Sequence, residues 1–326
     1  MYDIAYHETD LSGSTFLVTG GAGFIGSNIV EYLLKYKAKK VRVLDNLLTG
    51  RYSNLKPFEG NPAFEFMEGD ITDIATCHRA CQGIDYVSHQ AALGSVPRSV
   101  KDPARTNQIN VDGFLNMIIA AKDAAVKTFV YASSSSVYGD EPTLPKVESK
   151  IGKPLSPYAV SKYSNELYAS VFYANYGLRV VGLRYFNVFG PNQDPDGPYA
   201  AVIPLFIDKI QKREELFING DGLQTRDFTF VENSVQANIR AMLTQNEAAI
   251  NQVFNIAYGE NYTVTDMYNQ IADLLQSDHK PTYREPRAGD ILNSLANIDK
   301  ARTLLGYQPQ FSFGKGLAIT VAYFTK

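Results

Sequence analysis

Thr19-Gly-Gly-Ala-Gly-Phe-Ile-Gly26 (TGGAGFIG) places glycines at 20, 23 and 26 directly after an apolar β-rich run and directly before a helical period. In that setting each glycine has a separate task. Gly20 permits a tight turn, Gly23 lets a pyrophosphate approach the backbone, and Gly26 brings helix and strand close together. The helix N-terminus beyond them adds positive field for phosphates. A glycine triplet alone says little, and it is the strand–turn–helix setting that points to a dinucleotide. Asp45 ends the next β run, 19 residues past Gly26. An acid there accepts ribose hydroxyls and repels a 2′-phosphate, so NAD is expected over NADP.

Outward from this turn the chain alternates β-rich runs with helical periods. Phe16–Thr19 reads as the first strand and Ile25–Tyr36 as its helix. Val41–Leu44, Phe64–Met67 and Asp85–Ser88 read as the next three strands. A long helix is expected from about Pro103 to Ala125, a fifth strand over Thr128–Ala132, a helix over Pro157–Tyr176 and a sixth strand over Arg179–Leu183. That alternation predicts an α/β fold built on a doubly wound parallel sheet. Asp70 and Ile71 follow the third strand, and Gln90, Ala91 and Ala92 follow the fourth. Successive carboxyl ends of parallel strands are where open α/β sheets bind ligands.

After Gly190 the rhythm breaks in the turn-rich PNQDPDGP. Asp227–Val231 and Val253–Ile256 still read as strands of the same sheet. The expected division is a dinucleotide-binding domain over 1–190, with those two strands returning to it. A smaller, interwoven C-terminal α/β domain over 191–326 would take the substrate.

The 326 residues suffice for a large core, and 45% hydrophobic with 20% charged residues is ordinary for a globular protein. A net charge of -3 argues against a nucleic-acid partner. MYDIAYHETDLSGS carries acids and no apolar run, so it does not read as a secretory signal. No apolar segment approaches the roughly 20 residues of a membrane span, so no membrane partner is expected. Cys77 and Cys81 flank a helical turn without a second ligand pair nearby. They read as packing residues, no metal is expected, and a reducing, cytoplasmic setting fits them.

Leu155-Ser-Pro-Tyr-Ala-Val-Ser-Lys162 (LSPYAVSK) puts Tyr158 and Lys162 on one face of a helix, one turn apart. An ammonium near a phenol favours the phenolate, so the pair can form a general base or an ordinary surface contact. TGGAGFIG, ASSSSVY over 132–138, YAVSK and RYFNVFG together resemble the extended short-chain dehydrogenase/reductase superfamily. HQAALGSVPRS, KDPARTNQINVDG, YAAVIP and REPRAGD narrow the resemblance to UDP-hexose 4-epimerases, with close similarity to bacterial enzymes acting on N-acetylated sugars. It runs from about residue 14 to the end, and the opening segment lies outside it.

The resemblance implies a Rossmann sheet, a tightly held NAD and a UDP-sugar substrate. It makes Tyr158 the catalytic base, Lys162 its pKa-lowering partner and a holder of the nicotinamide ribose, and Ser134 the residue that hydrogen-bonds the 4-hydroxyl. It adds Phe24, Ile25, Asn46, Gly50, Asn110 and Phe186 to the cofactor site. On the substrate side it implies Gly94, Ser95, Ser135 and Asn187, with Ala201, Val202 and Phe217 around uridine. Arg226 and Arg287 would take the diphosphate, Asp290 the uridine ribose, and Ser294 would leave room for an acetamido group. It further implies interconversion of UDP-GlcNAc and UDP-GalNAc for surface polysaccharide precursors, by a homodimer formed through the helices near 103–125 and 157–176.

Other readings stay open on the residues. The 4,6-dehydratases of the same scaffold carry Thr-Asp-Glu after the fifth strand, and Ser134, Ser135 and Ser136 stand here instead, which disfavours dehydration. A decarboxylase shares the C4 oxidation. A 4-epimerase of the uronate or of plain UDP-hexoses remains an alternative. A non-catalytic NAD-binding regulator would usually lack Tyr158 or Lys162, and both are present.

Overall fold

The computed structural model describes residues 1–195, 201–285 and 293–325. Its centre is a seven-stranded, fully parallel sheet. The strands are β1 (Thr15–Thr19), β2 (Lys40–Asp45), β3 (Phe64–Glu68), β4 (Tyr86–His89), β5 (Thr128–Ser134), β6 (Val180–Tyr185) and β7 (Gln252–Ile256), in the order β7-β6-β5-β4-β1-β2-β3. The order reverses between β1 and β4, and a ligand crevice opens at such a reversal.

Both faces of the central strands are covered and β1 is apolar along its middle, whereas β2 and β3 toward the edge alternate apolar with charged residues. In β1, Phe16 and Val18 pack to one side with helices α1 (Phe24–Lys35) and Val231–Leu243. Leu17 points the other way, toward Phe114, Met117 and Phe172. Those residues lie on helices Gly113–Asp123 and α2 (Pro157–Tyr176). Cys77 and Cys81 are buried in this second layer, and the Cys77 thiol donates to the Ile71 carbonyl at 3.2 Å.

Most expected elements are present within a residue or two. The helix expected from Pro103 to Ala125 is interrupted by a π-turn over Gln108–Asp112. The expected strand at 253–256 is β7. The strand expected over Asp227–Val231 requires correction. Only Thr229–Phe230 is extended, and it pairs with Val188–Phe189 in a separate two-stranded ribbon, while Val231 already begins a helix. The apolar run there serves a third core built from Phe189, Phe206, Phe230, Met267 and Phe313.

Two further short ribbons complete the second half: Phe217–Asn219 with Thr282–Arg284, and Thr225–Arg226 with Tyr262–Thr263. The opening segment is a strap across α1. Tyr2 is buried and its phenol donates to Asn28 at 2.7 Å; Tyr6 stacks on Tyr32 and donates to Glu232 at 2.8 Å. Among the described residues no helix is long and apolar enough to cross a membrane.

Candidate active site

A cavity of about 410 Å³ lies at the carboxyl ends of β1 to β6. Gly20, Gly23 and Gly26 line it with Phe24 and Ile25 of the first turn of α1. Gly20 has φ +66°, and a Cβ there would meet the Ala91 amide nitrogen at 2.7 Å. A side chain on Gly26 would run into the Gly20 carbonyl. Ala91 and Ala92 keep the opposite wall low. This shallow cradle of backbone beside a helix N-terminus fits a dinucleotide pyrophosphate.

Asp45 closes one end of the cavity with Asn46 and Gly50. Its carboxylate accepts the Ala22 amide at 3.0 Å and the Leu47 amide at 2.8 Å, which fixes its orientation. Burial pushes the carboxyl up, and the two amides oppose the shift. Asp70 lies behind the wall formed by Gly69 and Ile71, and accepts Nδ2 of Asn46 at 2.8 Å.

At the other end Ser134, Tyr158 and Lys162 line the same cavity. Helix α2 starts there because the Ser156 hydroxyl caps the Ala159 amide at 3.2 Å and Pro157 occupies the first turn. Tyr158, Lys162 and Glu166 then fall on one face at four-residue spacing. Glu166 accepts the Ser133 hydroxyl at 2.5 Å and both Nε and Nη2 of Arg184, at 2.9 and 2.7 Å. This buried pair pins α2 to β5 and β6 at the level of Ser134.

The Lys162 ammonium is 5.9 Å from the centre of the Tyr158 ring and donates to the Ala132 carbonyl at 2.9 Å. Burial pulls Lys162 down to about 8. Burial also pushes the Tyr158 phenol up, and the group opposing that shift is the Ser134 hydroxyl. Lys162 thus stands one turn from the phenol, with its ammonium facing the Ala132 carbonyl.

A second cavity, of about 560 Å³, meets the first at Asn187 and Val188. Ala201, Val202, Phe217 and Arg226 line it together. Arg226 is held at the backbone by pairing with Tyr262 and donates Nη1 to the Thr225 carbonyl at 2.9 Å. Lys209, Gln224 and Arg284 add polar and cationic groups beside the apolar Phe189, Ile203, Phe206 and Phe228. The Arg284 guanidinium lies 4.8 Å from the centre of the Phe217 ring. Such a composition suits a planar base with an anionic tail.

The profile of the NAD dependent epimerase/dehydratase family matches residues 16–257. The chain belongs to this family. Its cofactor is accordingly NAD. A UDP-glucose 4-epimerase of Mycolicibacterium smegmatis is 37% identical over 94% of this chain and 97% of its own length. The UDP-N-acetylglucosamine 4-epimerase of Methanobrevibacter ruminantium M1, solved with UDP-N-acetylmuramic acid, superposes with a TM-score of 0.90 at 42% identity, covering 96% of this chain and 98% of that one. A UDP-glucuronic acid 4-epimerase of Bacillus cereus, solved with UDP-glucuronic acid and NAD, gives a TM-score of 0.88 at 32% identity over 95% and 99%.

In this epimerase/dehydratase several expected site residues stand elsewhere. Phe186 is fully buried beside Tyr138 and outside the cavity lining; the neighbouring Tyr185 lines it instead, donating to Gln90 at 3.2 Å. Consecutive residues of an extended segment point to opposite faces, which places Tyr185 in the lining and Phe186 behind it. Asn110 is buried behind the wall, where its side chain bonds both the amide and the carbonyl of Leu93. Gly94 reaches the cavity, whereas Ser95 and Ser135 do not. The Ser95 hydroxyl caps the helix that follows, accepting the Arg98 amide. Ser294 is buried beside Thr225, outside both linings. Arg287 and Asp290 lie outside the described residues. Tyr185, Lys209, Gln224 and Arg284 were missed. The only signal for Tyr185 was its place in RYFNVFG, and the other three lie in stretches without a motif.

Proposed function

We propose that this NAD-dependent enzyme is a UDP-N-acetylglucosamine 4-epimerase, interconverting UDP-GlcNAc and UDP-GalNAc. The observation that carries the reading is the junction of the two cavities at Asn187. One holds Ser134, Tyr158 and Lys162 beside the dinucleotide cradle, and the other offers an apolar slot with Arg226. When bound, NAD would supply the acceptor and donor of hydride at C4. Tyr158 removes the O4 proton and gives it back, with the Ser134 hydroxyl steadying the phenolate and bonding O4. Lys162 holds the nicotinamide ribose. Gly20, Gly23, Asp45 and Gln90 retain the cofactor through the cycle. Arg226 anchors the diphosphate while Ala201, Val202 and Phe217 enclose the uracil, so the keto sugar can turn over without release.

The resemblance assigns Ser294 to the C2 substituent, and a small side chain there favours the acetylated sugar, although the residue stands beside Thr225 outside both linings. The 42% identity to an enzyme solved with an N-acetylated sugar nucleotide points the same way. A homodimer is part of the proposal. Val160, Leu167 and Val171 of α2 are each more than half exposed and form an apolar stripe opposite the buried catalytic face. The test is to incubate the protein with UDP-GlcNAc, UDP-Glc and the uronate of UDP-GlcNAc and to quantify each C4 epimer. UDP-GlcNAc is expected to turn over fastest. Preference for either competitor would replace the sugar assignment, and no epimer from any would overturn the activity.

A further inference from the structure

Asp227 takes no part in the chemistry proposed above, yet it ties together the segments that would. Its side chain is fully buried. Its Oδ1 accepts the amides of Tyr258 and Gly259 at 3.2 and 3.3 Å, and its Oδ2 accepts the amide of Ala296 at 3.1 Å. Its backbone carbonyl accepts Nδ2 of Asn187 at 3.0 Å, the residue shared by both cavities. Arg226 and Phe228, on either side of it, line the second cavity. Ser294, two residues before Ala296, donates its amide to the Thr225 carbonyl at 3.1 Å. Thr225 also bridges Asn293 through the backbone and donates its hydroxyl to the Asn293 side chain at 2.9 Å.

The 293–296 segment is thus laced to the 225–227 segment, with Asp227 as the buried knot. Three amides converge on one short side chain, and only a carboxylate of that size offers two acceptor oxygens and no donor. A buried amide left without an acceptor is unfavourable, so the lacing depends on this residue type. Arg226 has a separate backbone support in its pairing with Tyr262.

We propose that Asp227 is a positioning residue for sugar recognition: it fixes the Ser294 segment, which stands outside both linings, against the Arg226 segment of the second cavity, and so sets where the position assigned to the C2 substituent lies relative to the diphosphate anchor. The proposal rests on the roles given to Ser294 and Arg226 above. Because Arg226 is held independently, loosening the knot affects the sugar end of the substrate and spares the nucleotide end.

Asp227→Asn tests it, since the amide keeps the shape but turns one acceptor into a donor facing an N–H. Steady-state kinetics on UDP-GlcNAc and UDP-Glc, calorimetry with UDP alone and the content of bound NAD are measured together. The kcat/KM ratio of acetylated to plain sugar should change by about tenfold, the scale of one lost buried hydrogen bond, through KM and not kcat. UDP affinity and NAD content should stay at wild-type values. An unchanged ratio, or a parallel loss of UDP and NAD binding, overturns the proposal. Should Asp227→Asn fail to fold, Thr225→Val cuts an exposed tie between the same segments. A ratio shift of about threefold is then expected from a weaker, solvated bond, and no shift overturns the proposal. Ser294→Tyr separates the layers. If it keeps wild-type preference, the Ser294 reading falls and this proposal with it; if it excludes the acetylated pair while Asp227→Asn keeps the ratio, this proposal alone falls.

Discussion

The two cavities are built in different ways. The cofactor cavity sits on the ends of six strands of one parallel sheet, where side chains and close approaches follow from strand register and a single turn. The second cavity is assembled from two-residue and three-residue ribbons, a helix start at Val202 and the lacing of 225–227 to 293–296. The first is specified by local chain geometry and the second by contacts between distant segments. Substitutions in the first should therefore act on chemistry with little effect on substrate binding, and those in the second should do the reverse.

The sharpest break of this contrast is Tyr158→Phe. The ring keeps its packing and loses only the proton acceptor, so turnover should fall by roughly 10²–10⁴ while NAD content, UDP affinity and melting temperature stay put. Single-turnover reduction of bound NAD with substrate present checks it. A variant retaining more than about a hundredth of wild-type turnover would remove Tyr158 from the role of base. Arg226→Ala should act the other way, weakening UDP binding by on the order of 2 kcal/mol, roughly 30-fold, with the cofactor retained. Calorimetry with UDP alone reads this without any sugar chemistry, and unchanged affinity would move the diphosphate elsewhere.

Smaller in scale, Ser294→Tyr should exclude the acetylated pair of sugars by bulk while keeping turnover of UDP-Glc and UDP-Gal. Ser294 is buried against Thr225, so the phenol must displace neighbours or enter the sugar space. Competing the two sugar types in one reaction measures the preference directly. Equal turnover of UDP-GlcNAc by variant and wild type would show that this side chain does not gate the pocket.

The same contrast explains what could be read from the chain alone. TGGAGFIG and Asp45 were legible because a tight strand–turn–helix leaves few alternatives for three spaced glycines. Tyr158, Lys162 and Ser134 were legible as motifs, and the start of α2 and the end of β5 bring them to one cavity. Phe186, just past β6, is buried away from the cavity while Tyr185 lines it, because neighbouring residues of an extended segment point to opposite faces. The strand at 227–231 was misread because an apolar β-rich run of that length suits a ribbon over a second core as well as a sheet strand. Asp227 could not be found by pattern. Its importance lies in three amides from residues 258, 259 and 296, a convergence that only the folded chain displays.

The mildest prediction separates two accounts of how Tyr158 is tuned. Burial raises the phenol, the Ser134 hydroxyl lowers it, and the Lys162 ammonium is directed at the Ala132 carbonyl. Ser134 can donate toward the phenol because its oxygen already accepts from the amide and hydroxyl of Ser136, at 3.2 and 3.0 Å, leaving its own proton free to turn toward Tyr158. A donor stabilises phenolate over phenol, so its removal in Ser134→Ala must raise the phenol pKa. The base then stays protonated to higher pH, and the acid limb of kcat/KM against pH should move in the alkaline direction. UDP affinity should not change across that range, since Arg226 keeps its charge and stands in the other cavity. A limb that stays in place while kcat drops would assign Ser134 to the sugar hydroxyl alone. Lys162→Met, read in the same way, should then shift the limb instead, because the ammonium would be the group that tunes the phenol.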